Sequence, residues 1–218
     1  MNRILYLHGF ASGPQSAKGR FFASQFAQIG AETVVPDLNE DDFFGLTITR
    51  QLRLVDRIVQ EVHPTLLIGS SMGGYVAALY AAVRPNLVPA LTLLAPAFGF
   101  PGRWIERLGP QRLEAWRSDG SMRVPHYGTG RLEAVGYGLF EDGQWHDDLP
   151  LVTQPALVFH GKNDAEVPAQ LSVDFARLNP SARLELVDSD HSLTDQLDFL
   201  WAETARFYQT VPAPAVGS

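Results

Sequence analysis

Leu66-Leu67-Ile68-Gly69-Ser70-Ser71-Met72-Gly73-Gly74 begins as a buried strand and runs into an alanine-rich, helix-forming segment. Between the two lies a G-x-S-x-G turn. In a strand-turn-helix of this kind the serine sits at a tight elbow, its hydroxyl clear of the backbone at the end of a sheet. Side chains at positions 69 and 73 would collide with the neighbouring strand and helix, so glycine is needed at both. Ser71 is the candidate nucleophile, and Ser70 fills the free x position. A plain turn serine is the competing reading of an isolated pentapeptide. The strand before it and the helix after it favour the elbow.

Outward from the elbow, short apolar runs alternate with helical patterns. Strands are expected at 3–7, 32–36, 65–69, 90–94, 155–160 and 183–187. Ile48, Leu52, Val55, Val59 and Val62 recur at the spacing of one helix face. Phe22, Phe26 and Ile29 mark an earlier helix that Gly30 would cap. Near the end, Leu193, Leu197, Leu200, Trp201, Thr204 and Tyr208 share a face, and Ser192 with Asp195 reads as a capping signal at its start. Alternating strands and helices predict an α/β fold: a mostly parallel sheet of about six strands flanked by helices.

Residues 98–150 break this rhythm. They hold no convincing buried strand and contain three of the four tryptophans, Trp104, Trp116 and Trp145. Pro110 should open a short helix carrying Leu113 and Trp116. The segment reads as a cap inserted over the sheet edge, with a surface excursion having its own small core as the alternative. Phe98, Phe100, Trp104, Trp116, Tyr127, Tyr137 and Phe140 would suit an acyl or aromatic group, or would simply pack the cap onto the sheet. Residues 1–210 are thus expected to form one domain and 211–218 a frayed tail.

The 218 residues suffice for one well-buried core, and 45% hydrophobic with 19% charged residues is an ordinary globular composition. A net charge of −7 disfavours nucleic acid and anionic membrane surfaces as partners. With no cysteine, disulfides, thiolate metal sites and a cysteine nucleophile are excluded. No apolar run approaches the roughly 18 residues of a membrane span. The opening run Ile4-Leu5-Tyr6-Leu7 reads as a strand and not a secretory segment, so the cytoplasm is the expected location. No spaced His/Glu helix, G-x-G-x-x-G or P-loop string appears, so neither a metal nor a nucleotide cofactor is expected. Oligomeric state is not legible.

A serine hydroxyl needs a base, and the base needs a partner that fixes its tautomer. Asp164 follows the fifth expected strand, in His160-Gly161-Lys162-Asn163-Asp164, and His191 follows the last, in Asp188-Ser189-Asp190-His191. Ser71, Asp164 and His191 therefore all fall in loops at carboxyl ends of parallel strands, the edge at which open α/β sheets bind ligands. Attack on a carbonyl also needs backbone N–H donors for the oxyanion. Met72, after the nucleophile, is one candidate; Phe10, in the His8-Gly9-Phe10 loop after the first strand, is the other.

Together these segments resemble an α/β-hydrolase, and within that superfamily the small bacterial YqiA/YcfP esterase-like group. The resemblance is carried by Tyr6-Leu7-His8-Gly9-Phe10-Ala11-Ser12-Gly13-Pro14-Gln15-Ser16, Pro36-Asp37-Leu38, the Ser71 elbow, His160 to Asp164, and Asp190-His191. It implies a six-stranded core lacking the first two strands of larger relatives, and hydrolysis of carboxylic esters or thioesters of a small-molecule substrate. Amide or peptide hydrolysis, perhydrolysis, and non-catalytic ligand binding remain open on the same scaffold. His8 and His160, each before a glycine at a strand end, are expected to brace loops; His63 should end a helix, and His126 and His146 should lie on the surface or rim of the cap. Asp188, Asp190 and Glu166 are the rivals to Asp164 as the acid.

Overall fold

The computed structural model describes residues 2–211, so the tail expected over 211–218 lies, apart from Val211, outside the described residues. In chain order the first half comprises β1 (Arg3–Leu7), α1 (Ala17–Gln28), β2 (Glu32–Val34), α2 (Ile48–Val62), β3 (Leu66–Ser70), α3 (Met72–Val83) and β4 (Leu91–Leu94). An insertion follows, with α4 (Phe100–Asp119), β5 (Ser121–His126), β6 (Arg131–Gly136) and α5 (Gly138–Gly143). The chain then closes with β7 (Ala156–Gly161), α6 (Ala169–Leu178), β8 (Ala182–Val187), a 3-10 turn (Thr194–Gln196) and α7 (Leu197–Thr210).

Six strands form one parallel sheet in the order β2-β1-β3-β4-β7-β8, each within two residues of its expected position. Alternation of side chains along each strand divides the interior in two. Leu5, Leu7, Leu67, Leu93 and Val158 enter one core with Val55, Val59 and Phe175 from α2 and α6. Ile4, Tyr6, Ile68, Leu157 and Phe159 enter the other with Phe22, Phe26 and Leu200 from α1 and α7. The helix α3 is buried almost all round, as its alanine-rich, uncharged sequence requires. The chain turns outward from β1 to β2 and returns to the other side of β1 as β3. The crevice at the carboxyl ends of β1 and β3 is therefore a topological switch point, the place where such sheets hold ligands.

Helix ends follow local chemistry. Thr47 caps α2 by accepting from the Arg50 amide, and His63 ends it in the left-handed region at φ 49°. Gly30, at φ 78°, ends α1 as its lack of a Cβ allows. The expected Ser192 cap does not form: the Ser192 hydroxyl turns to Asp190 (2.6 Å), Asp195 pairs with the Ser189 hydroxyl, and α7 starts only at Leu197.

The insertion contains a strand pair that the sequence did not reveal. β5 and β6 form an antiparallel hairpin, half-exposed, with only His126, Val135 and Gly136 buried. A hairpin so lightly buried, with Pro125 inside it, lacks the apolar alternation by which a strand is read. Pro110 does open a helical segment, because Gly109 (φ 69°) breaks α4 immediately before it. Phe100, Trp116, Val135 and Phe140 are buried in the same core as α2 and α3, so the insertion has no separate interior. Phe98, Phe100, Trp116 and Phe140 are thus packing residues, and Tyr127 is 79% exposed at the hairpin tip; Trp104 and Tyr137 alone of the suggested lining are half-buried. Among the described residues no helix is long and apolar enough to cross a membrane.

Candidate active site

The elbow is built by steric necessity. A methyl at Gly69 would overlap the Gly73 carbonyl, and one at Gly73 would overlap the Leu7 carbonyl. Strand β3 can therefore pack this closely on helix α3, and α3 on β1, only with glycine at both positions. Ser71 pays locally, at φ 53° and ψ −118°, a conformation worth about 1–3 kcal/mol of strain for a residue with a Cβ. It is held there by its amide donating to Leu94 O (2.9 Å) and its carbonyl accepting from Ala97 and Tyr75. The result lifts the hydroxyl above the sheet edge.

The loops after β7 and β8 are laced together. Lys162 N donates to Val187 O and Asn163 N to Ser189 O, at 2.8 and 3.0 Å. Gly161 faces the Ser189 and Asp190 carbonyls so closely that a Cβ would overlap both. This brings His191 between its two partners. Its Nδ1 lies 2.7 Å from Asp164 Oδ2, and its Nε2 lies 2.9 Å from Ser71 Oγ. A carboxylate only accepts, so Nδ1 carries the proton and the Nε2 lone pair faces the Ser71 hydroxyl.

Asp164 is saturated with donors. Oδ1 accepts from the Glu166 and Val167 amides (both 2.8 Å), while Oδ2 accepts from His191 and faces His160 Nε2 at 3.1 Å. Burial alone would raise its pKa, but the bonds from His160, His191 and the Val167 amide outweigh it and hold the carboxyl well below the usual range. The rival acids are engaged elsewhere: Asp188 with Asn163, Asp190 with Ser192, while Glu166 offers only backbone atoms here.

On the β1 side, the Gly9 backbone passes beside Ser71; a Cβ on Gly9 would stand 3.3 Å from Ser71 Cβ and 3.8 Å from its Oγ. Phe10 follows Gly9 in this loop. Met72 begins α3, where backbone N–H groups have no intrahelical acceptor. His8 shapes this loop: Nδ1 donates to Gly9 O (2.9 Å) and Nε2 accepts from Leu38 N (3.0 Å). Burial lowers its pKa, in keeping with a ring that accepts on one side. The insertion reaches in through Tyr127 N, which donates to Ala11 O (2.7 Å), and through Trp104, edge-on to Phe10 with centroids 5.4 Å apart.

The remaining histidines stand apart. His63 is exposed at the end of α2, and His146 meets Thr49 and Asp142 where the insertion touches α2; His126, expected at the surface or rim, is instead buried, because its ring packs edge-on to Phe43. Among the described residues no three His, Asp or Glu side chains converge as a metal-holding group.

Two cations near the site were not read from the sequence. Lys18 Nζ donates to the Ser192 carbonyl (2.6 Å), next to His191. Burial pulls its pKa down to about 8, against the opposing pull of Asp190, Asp164 and Glu166. Its signal was a cation in the first turn of a helix, the end that repels positive charge. Arg103 bridges the insertion to the core, donating to Phe98 O, Ala97 O and Glu166 O at 2.8, 3.1 and 2.9 Å.

Comparison with known proteins agrees with this architecture. Mouse alpha/beta hydrolase domain-containing protein 10 superposes with a TM-score of 0.79 at 21% identity, covering 95% of this chain and 89% of that one. Est1E from Butyrivibrio proteoclasticus, with ferulic acid bound, superposes at 0.76 and 19% identity, covering 96% and 88%. In sequence, the bovine mitochondrial palmitoyl-protein thioesterase ABHD10 is 25% identical over 155 residues, 67% of this chain. The chain spans about half the length of that curated relative. These likenesses establish an α/β-hydrolase fold. The profile of the Uncharacterised protein family (UPF0227) matches residues 3–207, almost the whole length, and the chain belongs to that family.

Proposed function

We propose that this protein is a cofactor-independent serine hydrolase of small carboxylic esters or thioesters. The observation that carries the reading is the unbroken Ser71–His191–Asp164 relay, 2.9 and 2.7 Å, at the switch point of the sheet. Its relatives lean the same way, one being named a palmitoyl-protein thioesterase and another binding ferulic acid.

In this reading Ser71 Oγ attacks the carbonyl carbon while its proton passes to His191 Nε2. Asp164 keeps the imidazole in the receptive tautomer and steadies the imidazolium that forms. The Phe10 and Met72 amides hold the oxyanion, each such donor worth on the order of 3 kcal/mol of barrier. His191 then hands its proton to the departing alkoxide or thiolate. A water, deprotonated by the same nitrogen, resolves the acyl-enzyme and restores the serine. Asp164 stays ionised throughout, because its four donors favour the charged form.

Turnover of p-nitrophenyl acetate and butyrate tests the proposal. Ser71→Ala should abolish it with the melting temperature little changed, since alanine keeps the Cβ and the same backbone conformation and loses only the hydroxyl. Full activity in that variant would move the nucleophile elsewhere.

A further inference from the structure

Asp164 is met by two histidines, and the proposed chemistry uses only His191. The other, His160, sits at the penultimate position of β7 with its side chain wholly buried, as is the Asp164 side chain. Its Nε2 lies 2.9 Å from the Val167 carbonyl and 3.1 Å from Asp164 Oδ2; its Nδ1 lies 2.7 Å from Ser172 Oγ. A carbonyl cannot donate, so Nε2 carries a proton that it donates to Val167 O, and the same N–H edge faces the carboxylate at 3.1 Å. Nδ1 is then the natural acceptor for the Ser172 hydroxyl. Ser172 is itself wholly buried in α6, an interior helix position that serine ordinarily fills poorly.

We propose that His160, locked in its tautomer by Ser172, is a positioning residue that sets how Asp164 presents its charge to His191. The contacts then run in one sequence: Ser172 to His160, His160 to Asp164, His191 to Asp164, Ser71 to His191. With both amides on Oδ1 and both imidazoles on Oδ2, any rotation of the carboxylate breaks at least one bond. The donation from His160 also withdraws charge from the oxygen that His191 faces. Other charges near Asp164 are Lys18 on α1 and Arg103 on the insertion, with Glu166 and Asp190 in the adjoining loops. Among the described residues, the side chains within hydrogen-bonding distance of Oδ2 are the two imidazoles.

This inference rests on the hydrolase reading for its kinetic consequence alone, so the test has a readout that needs no turnover. The titration midpoint of the His191 imidazole is followed by NMR in the wild type, His160→Phe, His160→Gln and Ser172→Ala. Without the His160 donor, Asp164 attracts the His191 proton more strongly, and the midpoint in His160→Phe rises. Gln keeps an N–H near the Nε2 position and should restore most of the wild-type value. Ser172→Ala should shift the midpoint in the same direction by less, since a ring lacking that donor is a weaker donor itself. In ester assays His160→Phe should lose about tenfold in kcat, with KM changed by less than about twofold. A midpoint unmoved or lowered in His160→Phe overturns the proposal and reduces His160 to packing. If that variant does not fold, Ser172→Ala decides by the same criterion. A wild-type protein that never hydrolyses esters nor labels at Ser71 would sink the hydrolase reading, while the midpoints still judge His160.

Discussion

In the proposed mechanism, the strained backbone at Ser71 and the carboxylate at Asp164, faced by four donors, are where single residues would control the chemistry. Replacing Asp164 by Asn would turn one oxygen into an N–H donor and force His191 toward the wrong tautomer. Asp164→Asn should therefore lower kcat on the order of 10³–10⁴-fold, measured on p-nitrophenyl esters at neutral pH. The same residue gives stability a defined acid dependence. Its pKa is depressed on folding, so its contribution is present above the unfolded value near pH 4 and is lost as pH falls through the folded one. Lys18 acts in the opposite range. Its folded pKa of about 8 lies below that of a free lysine, about 10.4. Between those values the unfolded chain binds the extra proton, so stability gains with rising pH from this residue. Melting temperatures of wild type and Lys18→Met, compared from pH 7.5 to 10, should diverge with that sign. Parallel curves would remove Lys18 from the account. Ser71, Asp164 and His191 were legible because each follows an apolar strand run. The Lys18–Ser192 bond was not, since it joins residues 174 apart in sequence, and the His160–Asp164 contact, though only four residues apart, depends on a turn geometry that residue types alone do not encode.

At the level of elements, the elbow works because β1, β3 and α3 come closer than side chains allow. Gly69→Ala should leave little folded protein or lower the melting temperature steeply, whereas Gly13→Ala, with open space around it, should change it little. Equal tolerance of both would mean the backbone can relax at β3. The insertion is fastened through Arg103, which satisfies three carbonyls at once. Arg103→Ala leaves those acceptors without their donor and should destabilise the fold by about 1–3 kcal/mol in denaturant unfolding. Four of the six sheet strands could be read as short apolar runs between turn residues, and β2 and β8 as edge strands rich in branched or alternating apolar residues. The β5–β6 hairpin could not: its burial is too slight to write an alternating pattern, and its company of glycines and Pro125 looks like loop. The helix start at Leu197 was misread for a related reason. Ser192 Oγ accepts only a long 3.4 Å bond from Thr194 N while its hydroxyl donates to Asp190, so the segment continues as a turn and α7 begins at Leu197.

For the molecule as a whole, the claim is that a six-stranded sheet delivers three loops to one crevice, so that a serine there becomes nucleophilic. Family membership and fold are consistent with that arrangement but do not themselves make Ser71 reactive. The most direct measurement is covalent labelling of the folded protein by a fluorophosphonate, located by peptide mass spectrometry. The account predicts a single adduct on Ser71, absent from Ser71→Ala and strongly slowed in His191→Ala. A folded wild-type protein that stays unlabelled, or carries its adduct on another residue, would contradict it.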